Sequence, residues 1–536
     1  LPLSDTEPQP WWSTFLGASG GQSLLGTELN CEEIAIILIH LDNFNLSKEQ
    51  ICQPDLNNLG HSVYAELKGV RGYLVLTVIN IDTEKLGDRS YISHDGTTAV
   101  VIDPQRDIKR VQAILDREEL TLGAVLETHI HNDYVSGGLQ LAKEHNVQYL
   151  VNQSDLVAYE RFGVADNQIF PVGSFALQAV LTPGHTYTHM SYVLLDAQEK
   201  ARGVFTGGSM LHGSTGRPDL LGATHAFELA GLQHGSVRRI AELLEDHISI
   251  YPTHGFGSFC SATPTSGDAS TIADERKANP ALTLGKAVFV AQTLAALDSF
   301  PSYFKYMAPI NQAGPSPIDL SALESMSSEE IIQAMIAGSW VADLRTRTSW
   351  TSAHVPGSLS FGLDGSFASY VGWLLPHEGK LILLSDQASD IEKAQIELAR
   401  IGIDHVEGSY VGDFSSFQPL NHTRTVTFRE LPQAAEEKLV TVLDVRSNSE
   451  RAASHIEPSI HINLHELASR VAELPQDREI WVHCASAYRA TMAVGILEKL
   501  EIKAVLINEA YEACLKVAGI AVVTGRYDSG LAELYH

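Results

Sequence analysis

The chain has 536 residues, enough for three or four domains at about 150 residues each, and its 44% hydrophobic and 19% charged residues suit packed cores, excluding a disordered or low-complexity protein. Acids outnumber lysine and arginine 65 to 37, a net charge of −28, so phosphate backbones and anionic lipid are repelled and neither nucleic acid nor a membrane is an expected partner. No apolar run approaches the roughly 20 residues that span a bilayer, no secretory leader is visible, and the scattered Cys31, Cys52, Cys260, Cys484 and Cys514 do not form a disulfide framework, so a cytoplasmic protein is expected.

Residues 1–74 carry no readable motif and form an N-terminal extension, with Trp11 and Trp12 suggesting some packing. From Thr97 onward, short apolar runs alternate with helical spacing, an α/β pattern. Strands are expected at Thr98–Asp103, Gly123–Glu127, Val147–Val151, Phe175–Leu181, Ser191–Leu195, Gly203–Thr206 and Ile248–Tyr251. Helices are expected at Ile108–Leu120, Ser136–His145 and Ala226–His247. The proline-rich Pro301–Pro317 closes this first large domain.

Histidines repeatedly follow strand ends. His129 and His131 are two residues apart after an apolar strand, with Asp133 close behind, so both imidazoles can point the same way. His185 follows in Thr-Pro-Gly-His-Thr and His254 in Tyr-Pro-Thr-His-Gly. Four histidines and one aspartate in such positions read as a metal site built on neutral imidazole.

The C-terminal third repeats itself. Asp343-Leu-Arg345 and His354 recur as Asp444-Val-Arg446 and His455 at an offset of 101, and Leu381–Ser385 matches Ile480–Cys484 at 99. A period near 100 is too long for a solenoid and predicts two tandem α/β domains. Cys484 sits at a strand-to-helix turn with Arg489 five residues on. Backbone N–H groups, the positive helix end and a fixed cation there all favour thiolate. In the first repeat Ser385 and Asp390 hold the corresponding positions, so that domain is expected to be inactive and to scaffold or dock.

The run Glu127-Thr-His-Ile-His-Asn-Asp-Tyr-Val-Ser-Gly-Gly138, with His185 and His254, resembles the metallo-β-lactamase superfamily. Gly216-Arg-Pro-Asp-Leu220, Pro252-Thr-His-Gly255 with Cys260, Asp268–Leu282 and Met307–Pro315 narrow the resemblance to persulfide dioxygenase–rhodanese fusion proteins. The segment from Cys484 to Arg489 looks like a rhodanese active-site loop. The resemblance implies an αββα metallo-β-lactamase sandwich at 75–315, then two tandem rhodanese-like α/β domains with parallel sheets, at 316–418 (inactive) and 422–536 (carrying the cysteine).

It also implies a mononuclear Fe(II) held by His129, His185 and an aspartate. Two departures matter: Tyr134 replaces the second histidine of the superfamily signature, and Gly208 stands where the aspartate ligand is expected. His131, Asp133 or water could fill the gap; zinc is the alternative metal, and a metal-free domain is the third case. Arg217 and Asp219 either shape the substrate pocket or brace a loop, and Cys260 either lines the metal pocket or packs. The expected activity is oxidation of a thiol persulfide, such as glutathione persulfide, coupled to sulfane-sulfur exchange among persulfide, sulfite and thiosulfate on Cys484. The alternatives are a zinc-dependent thioesterase of the hydroxyacylglutathione hydrolase kind, or a non-catalytic first domain with sulfurtransferase activity alone. A homo-oligomer is compatible with the sequence.

Overall fold

The computed structural model describes residues 76–525 apart from 264, 266, 438 and 439. The expectations for residues 1–74 therefore lie outside the described residues.

Two six-stranded sheets make up the first part. One runs β1 (Thr77–Thr83), β2 (Asp88–His94), β3 (Thr98–Ile102), β4 (Thr121–Leu126), β5 (Gln148–Asn152), β6 (Phe162–Val164) in that order. The other runs β12 (Ser270–Thr271), β11 (Ser249–Pro252), β10 (Ala201–Gly207), β9 (Met190–Leu195), β8 (Phe175–Leu181), β7 (Ile169–Val172). Several central strands are apolar on both faces because both faces are covered. Val100, Ile102, Leu126 and Leu150 of one sheet meet Leu177, Tyr192, Leu194 and Phe205 of the other. The alternate residues Ala99, Val101 and Val125 pack under the helices Lys109–Arg117 and Gly138–His145. On the far side Val193, Leu195 and Val204 lie under the helices Ala223–Leu243 and Lys286–Ala296. The result is a helix–sheet–sheet–helix sandwich.

Two parallel sheets follow. The first has the order β14 (Leu359–Ser360), β13 (Trp340–Asp343), β15 (Leu381–Ser385), β16 (Val406–Val411). The second has the order β17 (Thr425–Val426), β22 (Ala504–Ile507), β21 (Glu479–His483), β18 (Val440–Asp444), β20 (Ile460–His461). Asp343 pairs with Ser360 as Asp444 pairs with His461, so the sequence offset of 101 is also an offset in sheet register. The remaining strands, β19 (Ser454–Ile456) and β23 (Val522–Thr524), pair antiparallel.

The proline-rich segment expected to close the first domain holds a helix. Residues Phe304–Ala313 form a helix that contains Pro309, and it packs against the metal-loop residues Tyr134 and Val135 through Phe304 and Met307. Tolerating proline after the first turn, that helix is held by packing rather than by propensity. Among the described residues no helix is long and apolar enough to cross a membrane.

Candidate metal centre and sulfur-transfer loop

The histidines gather at the C-terminal ends of the strands, where loops are free to carry chemistry. His129 and His131 follow β4, His185 follows β8, Gly208 follows β10 and His254 follows β11. All four imidazoles are buried. Ring centroids lie 4.2 Å apart for His129 and His131, 4.8 Å for His129 and His185, and 5.2 Å for His185 and His254.

Hydrogen bonds assign the free nitrogen on each ring. The Thr128 hydroxyl donates to Asp103 Oδ2 at 2.7 Å and so accepts from His129 Nδ1 at 2.9 Å, leaving His129 Nε2 as a lone pair. His185 Nδ1 donates to the Arg217 carbonyl at 2.9 Å, and its Nε2 is buried without a partner. His131 Nε2 faces Glu127 at 3.1 Å, and its Nδ1 is likewise buried and unpartnered. His254 Nδ1 is held by Asp88 at 2.9 Å and Asp133 at 3.1 Å, aiming Nε2 to within 3.3 Å of His129 Nε2.

Ligand atoms of His129, His131 and His254 lie within 4.8 Å of one another, as do those of His185, His254 and Cys260. Four converging imidazole nitrogens, two of them orphaned, fit a divalent cation. The structure brings His129, His131, His185, Asp133 and His254 together.

The electrostatics divide the four imidazoles. Burial opposes charge on His131, but Asp103 and Glu127 outweigh it and raise it to about 9. Burial and neighbouring histidines push His129 and His185 well below the ordinary value, keeping them neutral. Burial opposes charge on His254 too, but Asp133 and Asp88 outweigh it and raise it to about 10. Burial and the Asp133 charge raise Asp88 to about 7. A second proton on His254 and a metal ion would thus compete for Nε2, while Nδ1 stays with Asp88 and Asp133.

At Gly208 the space of the expected carboxylate is taken. A Cβ there would lie 2.3 Å from His185 Cδ2 and 2.7 Å from Cγ, closer than packed atoms allow. The imidazole of His185 rests against the bare Cα, so the two-histidine, one-aspartate set cannot form at this position. Asp88 and Asp133 are the carboxylates beside His254, at 2.9 and 3.1 Å.

Several residues escaped sequence reading. Buried Asp103 also accepts from the Thr128 amide at 2.6 Å and from the Thr253 hydroxyl. Glu127 accepts from Tyr149 at 2.8 Å. His189 accepts from the Gly208 amide at 2.9 Å and stacks on His129; its spacing of four from His185 was the available signal. Tyr134, at the departed histidine position, reaches His131 Nε2 at 3.0 Å instead. Cys260 is fully buried, and burial with nearby Asp133 pushes its thiol well up. Arg217 pairs with Asp219 at 2.7 and 2.8 Å and holds the Phe259 and Asp298 carbonyls.

The second centre lies between β21 and the helix Tyr488–Lys499. Cys484 is fully buried. Ala487 closes the loop in the left-handed region at φ 69°, a conformation that costs a non-glycine residue about 1 kcal/mol. Arg489 makes a bidentate pair with Glu450, both contacts 2.6 Å. In the first repeat Ser385 donates to Asp390 at 3.1 Å, so those two positions satisfy each other.

Comparison with known proteins agrees with this architecture. Residues 89–254 match the metallo-beta-lactamase superfamily and residues 427–516 the rhodanese-like domain. A crystal structure of a metallo-beta-lactamase from Staphylococcus aureus subsp. aureus COL superposes with a TM-score of 0.57 at 27% identity, covering 63% of this chain and 99% of that one. The "Probable polyketide biosynthesis zinc-dependent hydrolase BaeB" of Bacillus velezensis is 28% identical over 165 residues, 30% of this chain and 68% of that protein. A hydroxyacylglutathione hydrolase of Halorhodospira halophila is 32% identical over 153 residues, 28% of this chain and 54% of that protein. The chain thus carries a metallo-β-lactamase domain followed by a rhodanese-like domain.

Proposed function

We propose that the chain is a two-centre enzyme of sulfur metabolism, in which the histidine cluster acts on a low-molecular-weight thiol persulfide and Cys484 exchanges sulfane sulfur. Residues 316–418 are assigned here to a second, inactive rhodanese-like domain. The observation that carries the reading is the pairing of an imidazole-lined centre with a Cys484–Arg489 loop in one chain, the two joined by a continuous apolar cluster that includes Cys260, Tyr303, Phe367 and Cys484. Keeping both centres together raises the local concentration of a reactive intermediate.

His129, His131 and His185, with Asp133 and His254, would hold the metal. Iron there would supply oxygen chemistry and zinc Lewis-acid hydrolysis. The chain's own contribution is to keep His129 and His185 neutral, to exclude water from the buried ligand cluster and to hold His254 through Asp88 and Asp133.

At the second centre the Cys484 thiolate attacks the outer sulfur of thiosulfate. A new S–S bond forms, the old one breaks, and sulfite leaves with the electron pair. The Glu450–Arg489 pair fixes the loop during this exchange.

Cys484→Ser should abolish thiosulfate sulfurtransferase activity while leaving oxygen uptake on glutathione persulfide intact. Surviving sulfur transfer would remove Cys484 from the assignment. A second reading, zinc-dependent thioester hydrolysis, is supported by the similarity of the first domain to zinc-dependent hydrolases, although the carboxylate missing at Gly208 counts against it as it does against an iron triad. Metal analysis beside assays of oxygen uptake and S-lactoylglutathione hydrolysis separates the two.

A further inference from the structure

Cys484 has no exposed surface, although a sulfur carrier must be reached by its acceptor. The other repeat packs against the loop that carries it. Helix Phe367–Leu374 lays Tyr370 against Tyr488 of the cysteine loop, ring centroids 5.9 Å apart, and Tyr370 lies within electrostatic reach of Cys484, Arg489 and Glu450. Tyr488 donates to the Gly362 carbonyl at 2.8 Å. Its ring also lies where a Cβ on Gly365 would be, 2.3 Å from Cζ. Any larger residue at 365 would push the tyrosine off its seat.

The same helix closes the outer side. Trp373 stacks on His465 at 4.8 Å and meets Phe259 of the first domain edge-on at 5.1 Å. Asp298 of that domain accepts from the Ser449 amide at 3.3 Å, next to Glu450. The cysteine loop is therefore roofed by the first repeat and flanked by the first domain, with Tyr370 and Trp373 both half-buried.

We propose that Tyr370 and Trp373, supplied by the repeat that lacks a cysteine of its own, form a size filter over Cys484 that admits small sulfur oxyanions and low-molecular-weight thiols and turns away protein thiols. The proposal rests on Cys484 being the sulfur carrier, and it makes both aromatics positioning residues. Small acceptors slip past side chains that rotate on a fast timescale. A protein acceptor would have to displace the whole helix, whose Phe367, Ala368 and Val371 are buried in the shared core.

The test uses the full chain. Iodoacetamide labelling of the Cys484 peptide, followed by mass spectrometry, reads access without depending on sulfur transfer. Tyr370→Ala should accelerate labelling at least tenfold, while Tyr370→Phe, which keeps the ring, still shields the thiol. Equal labelling of wild type and Tyr370→Ala would overturn the filter. Should Tyr370→Ala fail to fold, Trp373→Ala at the outer edge carries the same expectation.

Transfer of labelled sulfur from persulfidated Cys484 gives the second readout. Wild type should favour glutathione or sulfite over reduced thioredoxin by at least tenfold, and Tyr370→Ala should shrink that ratio. Wild-type transfer to thioredoxin as fast as to glutathione would sink the proposal. Loss of sulfur transfer in Cys484→Ser with no change in labelling between wild type and Tyr370→Ala would uphold the carrier and refute the filter.

Discussion

Asp103 carries none of the free imidazole nitrogens, yet it positions them. It sits in the left-handed region at φ 50°, which aspartate tolerates better than most residues. From there its carboxylate ties the Thr128 amide and hydroxyl of the His129 loop to the Thr253 hydroxyl of the His254 loop. Asp103→Ala would strand those donors in a dry site, at about 1–3 kcal/mol for each one left unmade. Metal affinity should fall about 10–100-fold, the usual cost of losing such an outer partner. Competition with a chromophoric zinc chelator measures this, and unchanged affinity in folded protein would remove Asp103 from the role. At the other centre, burial would raise the Glu450 carboxyl, but Arg489 outweighs it and holds it below its ordinary 4.5. A carboxyl lowered on folding contributes fully above its unfolded value, and that contribution is lost as pH falls toward the folded one. The Cys484 loop should therefore be insensitive to this pair above pH 4.5 and loosen below it. Glu450→Gln should mimic the acid side at neutral pH, slowing thiosulfate sulfurtransferase turnover about tenfold, or ~1.4 kcal/mol, a modest figure because solvent reaches part of the pair. A flat acid limb in the wild type, with Glu450→Gln at full rate, would deny the pair this function.

The helix Phe304–Ala313 shows what an element can do that its composition hides. Its Asn311 donates to the carbonyls of His131 at 3.0 Å and Tyr134 at 2.9 Å, and accepts from the Ser136 amide at 2.8 Å. One side chain thus fastens the backbone of the metal loop. Asn311→Ala leaves three buried backbone groups without partners and should cost about 3 kcal/mol, read as a lower denaturant midpoint together with weaker metal binding. Full metal affinity in a destabilised Asn311→Ala would restrict the residue to holding the fold. From sequence the segment reads only as proline-rich and closing the domain, because the helix is stabilised by tertiary contacts from Phe304 and Met307 rather than by its own propensity. The strands were easier. Phe175–Leu181 has the bounds expected for it, and others fall within a few residues, since strands covered on both faces write continuous apolar runs. The histidines were legible as a group because their residue type and position after strands both speak of metal. Asp103 was not, because nothing in a sequence shows which carboxylate will face threonines 25 and 150 residues along the chain. Gly208 was legible as an absence, but only the folded chain shows the His185 ring filling the gap.

On the scale of the whole molecule the first repeat is a structural part of the metal domain, whatever chemistry it lacks. The amide of Val135, in the metal loop, donates to the Arg400 carbonyl at 2.7 Å. Arg400 pairs with Asp107 at 2.6 Å, and Arg106 pairs with Asp404. Gly402 makes the close approach possible: its φ is 72°, and a Cβ there would stand 2.9 Å from Ile310 and 3.3 Å from Met307 and Val135. The end of helix Ala388–Arg400 is therefore seated on the loop that carries His131 and Asp133. Arg106 would lose Asp404 and the Ala399 and Ser316 carbonyls if the repeat were removed. Val135, Tyr303 and Met307, all in the shared core, would be bared at about 1.5–3 kcal/mol for each large side chain. These losses rival the whole stability of an ordinary domain. A chain ending at residue 315 should then bind zinc weakly and aggregate, whereas one ending at 418 should bind it like the full chain despite lacking Cys484. The comparison is made by zinc titration and light scattering on the two truncations. A 315-residue chain that stayed monomeric with full zinc affinity would show the first repeat to be a passenger, and the contacts of Arg400 and Gly402 to be incidental to the metal loop.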